Sequence, residues 1–205
     1  MIQQSTLDGM AVNDSPFVPH HAPGVSAALG YSLFFAAFPE PDEALLLFGE
    51  GCSLIEAHRL RNRPQAVDRL HTTLCVLNDF PVSDTVVRAA IAAANSVTCA
   101  ALPMVFDRAL SGTADGAFML RGGSATDEMV ARLRRPLVAA LRRHGLDPDE
   151  SRTPHMSLVY RCGRAVPERE IAPLAWTARR FALVLSHVGN THHQWMGEWR
   201  LPRKS

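Results

Sequence analysis

The chain has 205 residues, 47% of them hydrophobic and 20% charged, with a formal net charge of +1. This composition is typical of a globular domain, and the near-neutral charge excludes a protein whose main task is to coat nucleic acid through a broad basic surface. No apolar run approaches the roughly 20 residues of a membrane-spanning helix. The first residues, MIQQSTLDGM, lack the basic start and apolar stretch of a secretory signal. We therefore expect a cytoplasmic protein.

The cysteines give no sign of a disulfide framework or a zinc site. They lack a C-x-x-C spacing and are scattered along the chain as Cys52, Cys75, Cys99 and Cys162. Cys75 shares the strand parity of two candidate site residues described below. We nevertheless expect simple burial, which is the usual environment of a free cysteine.

The first part of the chain predicts an extension, a strand and a helix. Residues 1–29 contain three closely spaced prolines and little periodicity, which predicts a loop-like extension ahead of one domain over residues 30–205. An apolar run predicts a strand at 31–38. Pro41, followed by two acidic residues, is typical of the first turn of a helix, and Gly49 and Gly51 are candidate break points of that helix.

Strands and helices recur in both halves of the remaining chain. In chain order the pattern predicts a strand at about 69–78, a helix from about Ser83, a hairpin of strands at about 103–110 and 116–121, a helix from Ser124 or Thr126 to Arg143 with a kink at Pro136, a strand near His155 and two final strands. This order predicts an α+β fold, with two similar lobes of antiparallel strands and flanking helices around a central cleft.

Two short strings dominate the sequence, His71-Thr72-Thr73-Leu74 and His155-Met156-Ser157-Leu158. Each places a histidine two residues before a hydroxyl residue in a strand-like run, so the two side chains point to one face. Nine histidines predict about one such string by chance. Two strings in similar apolar contexts, with the histidines 84 residues apart, indicate a site built from two parts of the fold.

The residue types in these strings suit phosphodiester hydrolysis without a metal. The reaction takes a proton from water and gives another to the leaving oxygen, and histidine does either near neutral pH. The hydroxyl groups of Thr73 and Ser157 are suitable donors to the phosphoryl oxygens. We therefore predict one site that contains His71, Thr73, His155 and Ser157.

At this point the chain resembles the two-histidine (2H) phosphoesterases, which carry two H-x-[T/S]-x motifs. The opening YSLFFAAFPE and the closing FALVLSHVGNTHHQWMGEWRLP are also similar to that family, so the resemblance covers roughly residues 30–202. The bacterial branch of 2'-5' RNA ligases and RNA 2',3'-cyclic phosphodiesterases is the most similar. The resemblance implies that the substrates are RNA ends or nucleotides with a cyclic phosphate, which are hydrolysed to 2'-phosphates. It implies catalysis by His71 and His155, phosphate binding by Thr73 and Ser157, and no metal or other cofactor.

The residues after the second motif depart from the bacterial pattern. Many bacterial members carry arginine five residues after the second histidine, where this chain has Tyr160 followed by Arg161. The string PHMSLVY is similar to the plant and yeast cyclic phosphodiesterases, in which a tyrosine at this position belongs to the site. Strict alternation puts Arg161 on the His155 face and Tyr160 on the other, unless a bulge intervenes. Both residues are candidate substrate contacts.

The sequence leaves several alternatives open. The same site suits 2'-5' RNA ligation or another cyclic nucleotide, and a non-catalytic RNA or nucleotide binder would retain the cleft without turnover. Which histidine is acid and which is base does not follow from the sequence, nor does the oligomeric state. The adjacent pairs His20–His21 and His192–His193 are poor metal sites, because neighbouring residues of a strand point to opposite faces.

Overall fold

The computed structural model of the chain describes residues 31–77, 82–187 and 192–203, with the backbone alone at position 192. The expected extension over residues 1–29, with His20 and His21, lies outside the described residues. No helix in the described ranges is long and apolar enough to cross a membrane.

The strands are β1 (Tyr31–Phe38), β2 (Thr72–Val76), β3 (Leu102–Ser111), β4 (Phe118–Arg121), β5 (His155–Val159), β6 (Val166–Ala178), β7 (Arg180–His187) and β8 (His192–Arg200). The helices are α1 (Pro41–Ala57), α2 (Asp84–Asn95) and α3 (Ser124–Arg143).

The strands form one sheet in the order β6-β3-β4-β5-β2-β1-β7-β8, and each neighbouring pair is antiparallel. The two motif strands, β2 and β5, are neighbours at the centre, where Thr72 lies opposite Met156. Each motif strand is therefore the inner edge of a four-stranded half. This arrangement confirms the expected α+β fold with two lobes of antiparallel strands and flanking helices.

The main core lies between the helices and one face of the sheet. Leu47 of α1, Val87 of α2 and Leu133 of α3 belong to one buried cluster with sheet residues such as Phe35 and Phe106. Burying a side chain of this size is worth about 1.5–3 kcal/mol, so this cluster is the main source of stability. A smaller cluster on the opposite face consists of sheet residues alone: Phe34, Ala36, Phe38, Val76, Ala182 and Val184.

The helices begin close to the predicted positions, but α1 does not break at its glycines. Ser83 Oγ accepts a hydrogen bond from the Val86 amide and caps α2, as expected for serine at this position. The expected break at Gly49 or Gly51 is wrong, since α1 continues to Ala57. Gly51 is buried, and a Cβ there would lie 2.9 Å from a Leu158 methyl group. Close packing of α1 on β5 accounts for this glycine.

One strand was missed, because the sequence predicts two strands after β5 and the structure has three. The missed strand is β6, which carries the exposed run PERE and contains Pro167 and Pro173. Its position explains the weak pattern. It lies at the edge of the sheet, where proline is tolerated and one row of backbone groups faces no neighbouring strand.

A bulge in β2 separates the site residues from Cys75. Phe35 pairs with Cys75 while Ala36 pairs with Thr73, so the register shifts by one residue between them. Because Phe35 and Ala36 face opposite sides of the sheet, Thr73 and Cys75 do so as well. Cys75 is 1% exposed in the main core, and burial raises the pKa of its thiol to about 12. The expectation of simple burial is confirmed.

Candidate active site

The four motif side chains line one cavity. His71 lies immediately before β2 and His155 is the first residue of β5, so the central strand pair brings them together. Thr73 and Ser157 follow at the positions that alternation predicts, and the residues between, Thr72 and Met156, are buried. The cavity has a volume of about 260 Å³ and is lined by His71, Thr73, Ala117, Met119, Arg152, His155, Ser157 and Tyr160.

The two imidazoles are held by the same kind of hydrogen bond. His71 Nδ1 lies 2.6 Å from the carbonyl oxygen of Arg69, and His155 Nδ1 lies 2.8 Å from that of Thr153. A carbonyl only accepts, so each ring carries its proton on Nδ1 when neutral. In both rings Nε2 therefore remains, with its lone pair, as the nitrogen for a molecule in the cavity.

Aromatic side chains hold the His71 ring from the sheet side. Phe34 stacks on it with a centroid distance of 5.2 Å, and the rings of Phe38 and His193 lie at 5.6 Å. These contacts connect the histidine to the smaller apolar cluster. His71 is therefore fixed by packing as well as by its hydrogen bond.

Both histidines are neutral at pH 7. Burial lowers the pKa of His71 to about 4, assisted by the nearby His155 and Arg69 and opposed by the hydrogen bond to the Arg69 carbonyl. Burial also lowers the pKa of His155, assisted by the positive charges of Arg152, Arg121 and Arg134 and opposed by its hydrogen bond to Thr153. The environment thus resists added positive charge and favours an anionic ligand.

Tyr160 lines the cavity with His155 and Ser157, so the expectation from strict alternation is wrong. Strand β5 ends at Val159, and Arg161 takes a positive φ of 50°, which turns the chain. The side-chain amide of Asn62 donates to the carbonyls of Tyr160 and Arg161 at 3.2 and 2.7 Å and holds this turn. Arg161 reaches only the adjoining, larger part of the cleft.

The adjoining cavity contains residues that the sequence did not single out for the site. It has a volume of about 560 Å³ and shares His71, Thr73, Arg152 and Tyr160 with the smaller cavity. Arg69 and His193 also line it, and Arg69 Nη2 lies 3.3 Å from His193 Nε2. The sequence could have indicated Arg69 as a site residue, because Arg69 lies two residues before His71. His193 comes from the distant strand β8, which no local pattern connects to the motifs.

The donor set of the site does not suit a metal ion. Within the described ranges, no group of three or more His, Cys, Asp or Glu residues is arranged to hold one. Arginines surround the histidines instead. Arg121 lies opposite His155 in the strand register, and half-buried Arg134 donates to the carbonyl of Thr73 at 3.4 Å, behind the first motif. These cations suit a phosphate group.

Comparison with known proteins supports the fold. No family model and no curated protein sequence matches the chain. A solved phosphoesterase matches with a TM-score of 0.65 and 20% identity, covering 85% of this chain and 99% of its own. E. coli LigT complexed with ATP also matches at 0.65 and 20%, covering 89% and 100%. The Thermus thermophilus protein TT0787 matches at 0.56 and 19%, covering 85% and 100%. The chain therefore has the fold of these solved proteins, as expected from its resemblance to the two-histidine phosphoesterases.

Proposed function

We propose that this protein is an enzyme that hydrolyses 2',3'-cyclic phosphate ends of RNA or nucleotides without a metal ion, leaving the phosphate on the 2' oxygen. One observation carries the proposal. Two imidazoles of neighbouring strands line one small cavity, and each has its Nδ1 engaged by a backbone carbonyl. Two such imidazoles at one cavity can take a proton from water and give another to the leaving oxygen.

The reaction proceeds by attack of water on phosphorus. One neutral imidazole takes a proton from the water through Nε2 as the new P–O bond forms. The other imidazole, in its protonated form, gives its proton to the ribose 3' oxygen as the P–O3' bond breaks. The product carries a 3' hydroxyl and a 2'-phosphate. The Thr73 and Ser157 hydroxyls donate hydrogen bonds to the phosphoryl oxygens throughout.

The charges around the cavity support an anionic substrate. The positive side chains that lower the pKa of the histidines also attract a phosphate, and the phosphate in turn favours protonation of one imidazole. The solved structures of similar fold are consistent with this ligand class, since E. coli LigT has been crystallised with 3'-AMP and with phosphate. Tyr160 and Arg161, at the wall of the cleft, are proposed contacts to the rest of the nucleotide.

The test is product analysis with EDTA-treated protein. Each of the nucleoside 2',3'-cyclic monophosphates and a short RNA with a cyclic end is incubated with the wild type, His71→Ala and His155→Ala. We expect 2'-phosphate product from the wild type and a rate about 10²- to 10⁴-fold lower in either variant, the usual contribution of a general acid or base.

His144→Ala is the matched control, because His144 is an exposed histidine at the C-terminal end of α3. It should keep the wild-type rate. Near-normal turnover in His155→Ala would contradict the proposal. Binding of an intact cyclic nucleotide without turnover would indicate a non-catalytic binding module, and joining of RNA ends through a 2'-5' bond would indicate a ligase.

A further inference from the structure

A second cavity adjoins the catalytic cleft and has no part in the proposed reaction. It has a volume of about 690 Å³, which is ample for a nucleoside. Arg69 and His193 line both this cavity and the larger part of the cleft, so the two spaces meet at this pair. The wall is formed by the start of α1, the short segment before His71 and strands β7 and β8. We call this cavity the Trp195 pocket, and its lining includes Pro41, Leu45, Asp68, Arg180 and Trp195.

The pocket presents an aromatic and cationic wall. Trp195 is 36% exposed although its ring packs on Phe38 with a centroid distance of 4.6 Å. The Arg180 guanidinium lies 5.3 Å from the Trp195 ring centroid. Indole rings and guanidinium planes are among the side-chain groups on which unpaired bases stack. Leu45, 59% exposed on α1, adds an apolar surface on the helix side.

The charges at the junction distinguish Arg69 from Arg180. Arg180 faces two carboxylates, Glu40 at 3.9 Å and Glu198 at 3.7 Å. No carboxylate of the described residues lies within ion-pair distance of Arg69, whose Nη2 lies 3.3 Å from His193 Nε2. Asp68 is the acidic residue that lines the pocket beside it. Within the part of the chain that the structure describes, Arg69 is therefore a cation without a carboxylate partner, located where the two cavities meet.

The Trp195 pocket lies one side chain away from the catalytic centre. The centroid of the Phe38 ring lies 5.6 Å from that of His71 and 4.6 Å from that of Trp195. If the cyclic phosphate of a terminal nucleotide lies between the motif histidines, the Trp195 pocket is available to the nucleoside attached on the 5' side of that nucleotide. The phosphodiester that links the two units would pass the junction.

We propose that the Trp195 pocket binds the nucleoside that precedes the cyclic end, while Arg69 contacts the phosphodiester between the two units. This inference rests on the proposed function and defines its substrate class as the end of an oligoribonucleotide rather than a free cyclic mononucleotide. Specificity then comes from stacking and charge, with little dependence on the identity of the preceding base.

The test compares the kcat/KM of a dinucleotide ending in a 2',3'-cyclic phosphate with that of the corresponding nucleoside cyclic phosphate. We expect a preference of about tenfold or more for the dinucleotide in the wild type, the size that stacking of one base supplies. Trp195→Leu, which keeps an apolar side chain, should reduce this ratio to about twofold or less.

Two neighbouring positions on α1 give a matched pair of charge variants. Leu45→Glu places a negative charge at the pocket and should also reduce the ratio, because it repels the phosphodiester. Leu46→Glu adds the same charge at a 72% exposed position that does not line the pocket, and it should keep both rates and their ratio. Both sites are on the surface, so neither variant threatens folding.

The outcomes separate this proposal from the catalytic one. Equal kcat/KM for the two substrates would contradict the proposed role of the Trp195 pocket. A preference for the dinucleotide that remains in both Trp195→Leu and Leu45→Glu would contradict it as well. If neither substrate is hydrolysed, the proposed reaction is wrong, and a binding measurement then tests the proposed role of the Trp195 pocket. Calorimetry then compares a dinucleotide bearing a terminal 2'-phosphate with the mononucleoside 2'-phosphate. About tenfold tighter binding of the dinucleotide supports the pocket, and equal affinity refutes it.

Discussion

His71 and His155 have the same local arrangement although they come from different lobes. In each case the carbonyl two residues earlier accepts from Nδ1, and no strand supplies it: Arg69 ends a short 3-10 helix, and Thr153 lies in the loop before β5. The residue two before His71 is Arg69, and an arginine, Arg152, also lies close before His155. The site thus fixes the tautomer of both rings and places positive charge beside them, and both effects act on the pH dependence of the proposed reaction.

The pH profile of kcat/KM should have its maximum below pH 6.5. This ratio reports the free enzyme, in which one imidazole must be protonated and the other neutral. The pKa of His71 is lowered to about 4 and that of His155 is also lowered from 6.5, so above pH 6.5 both are neutral. The active fraction, and with it kcat/KM, should then fall about tenfold per pH unit. The measurement is kcat/KM from pH 4 to 8.5.

Arg152→Gln tests the cause of this profile. The Arg152 charge lowers the pKa of His155, so its removal should raise that pKa and move the falling limb to higher pH. A lower rate alone would not distinguish electrostatics from lost substrate contact, whereas the position of the limb does. A wild-type maximum above pH 7 would show that the free enzyme keeps a protonated imidazole at that pH, which would contradict the lowered pKa values of both histidines.

At the residue scale, the sequence predicted the side chains whose positions follow from strand alternation. It missed the side chains whose positions depend on irregular backbone. His71, Thr73, His155 and Ser157 meet because two strands pair side by side. Tyr160 enters the same cavity only because β5 ends before it, which the pattern HMSLVYR does not reveal. His193 approaches through β8, far away along the chain, and its place beside His71 depends on the order of strands in the sheet.

At the scale of elements, the two lobes join through a short contact between β2 and β5. Beyond the pairing of Thr72 with Met156, Val76 and Asp149 exchange two backbone hydrogen bonds of 2.9 and 2.8 Å. Between these two points the chain from Glu150 to Pro154 leaves the ladder. This excursion supplies Arg152 to the cavity and the Thr153 carbonyl to His155. The irregularity at the lobe junction is therefore part of the candidate site.

The connection between β4 and α3 should tolerate no side chain at Gly122. A Cβ at this position would overlap the Val105 carbonyl oxygen and lie 2.5 Å from Thr126 Oγ1, which itself donates to that carbonyl at 2.7 Å. Backbone would have to move. We expect Gly122→Ala to lower the free energy of unfolding by about 3 kcal/mol, at the upper end of the usual cost of overpacking. Urea denaturation measures this change.

Gly123→Ala is the control for the same backbone segment. A Cβ at Gly123 meets nothing within 4 Å, and the residue caps α3 without a side-chain hydrogen bond. The expected cost is therefore below about 1 kcal/mol, that of replacing glycine by alanine at a helix cap. Equal losses in the two variants would mean that helix capping, and not the close approach of β3, requires glycine at this connection.

Element prediction succeeded where at least one face of an element is buried and failed at the sheet edge. Strand β1 and helix α3 carry continuous apolar patterns, and both were predicted within a residue or two. Strand β6 exposes most of its first half and contains prolines, so its sequence looks like a loop. Its pairing with β3 is a tertiary property, since only the partner strand identifies the segment as extended structure.

At the scale of the whole molecule, a net charge of +1 conceals a local concentration of positive charge. Arg69, Arg121, Arg134 and Arg152 lie around the two histidines, and of these Arg121 forms an ion pair with Glu168 at 3.6 Å. This distribution is consistent with the proposed substrate, a single phosphate end, rather than with a long stretch of nucleic acid. It also couples the site to the stability of the fold, because the cavity is built to hold His71 in its neutral form.

Stability should therefore fall as the pH drops from 6.5 to 4. In this range the unfolded chain protonates His71 at its ordinary pKa of 6.5, while the folded protein, with a pKa of about 4, does not. The unfolded state binds more protons, so the free energy of unfolding rises with pH. The contribution of His71 is fully present above pH 6.5 and is lost as the pH falls to 4. It amounts to up to about 3 kcal/mol.

Urea denaturation of the wild type and His71→Gln at pH 4, 5, 6 and 7 measures this contribution. Glutamine does not titrate, so the variant should lose less stability between pH 7 and 4 than the wild type. His144→Gln removes an exposed histidine and should keep the wild-type slope. If His71→Gln and the wild type lose stability in parallel, the folded protein accepts the proton on His71 as readily as the unfolded chain. In that case burial does not keep the imidazole neutral, and the prediction of an acidic optimum of kcat/KM would be wrong as well.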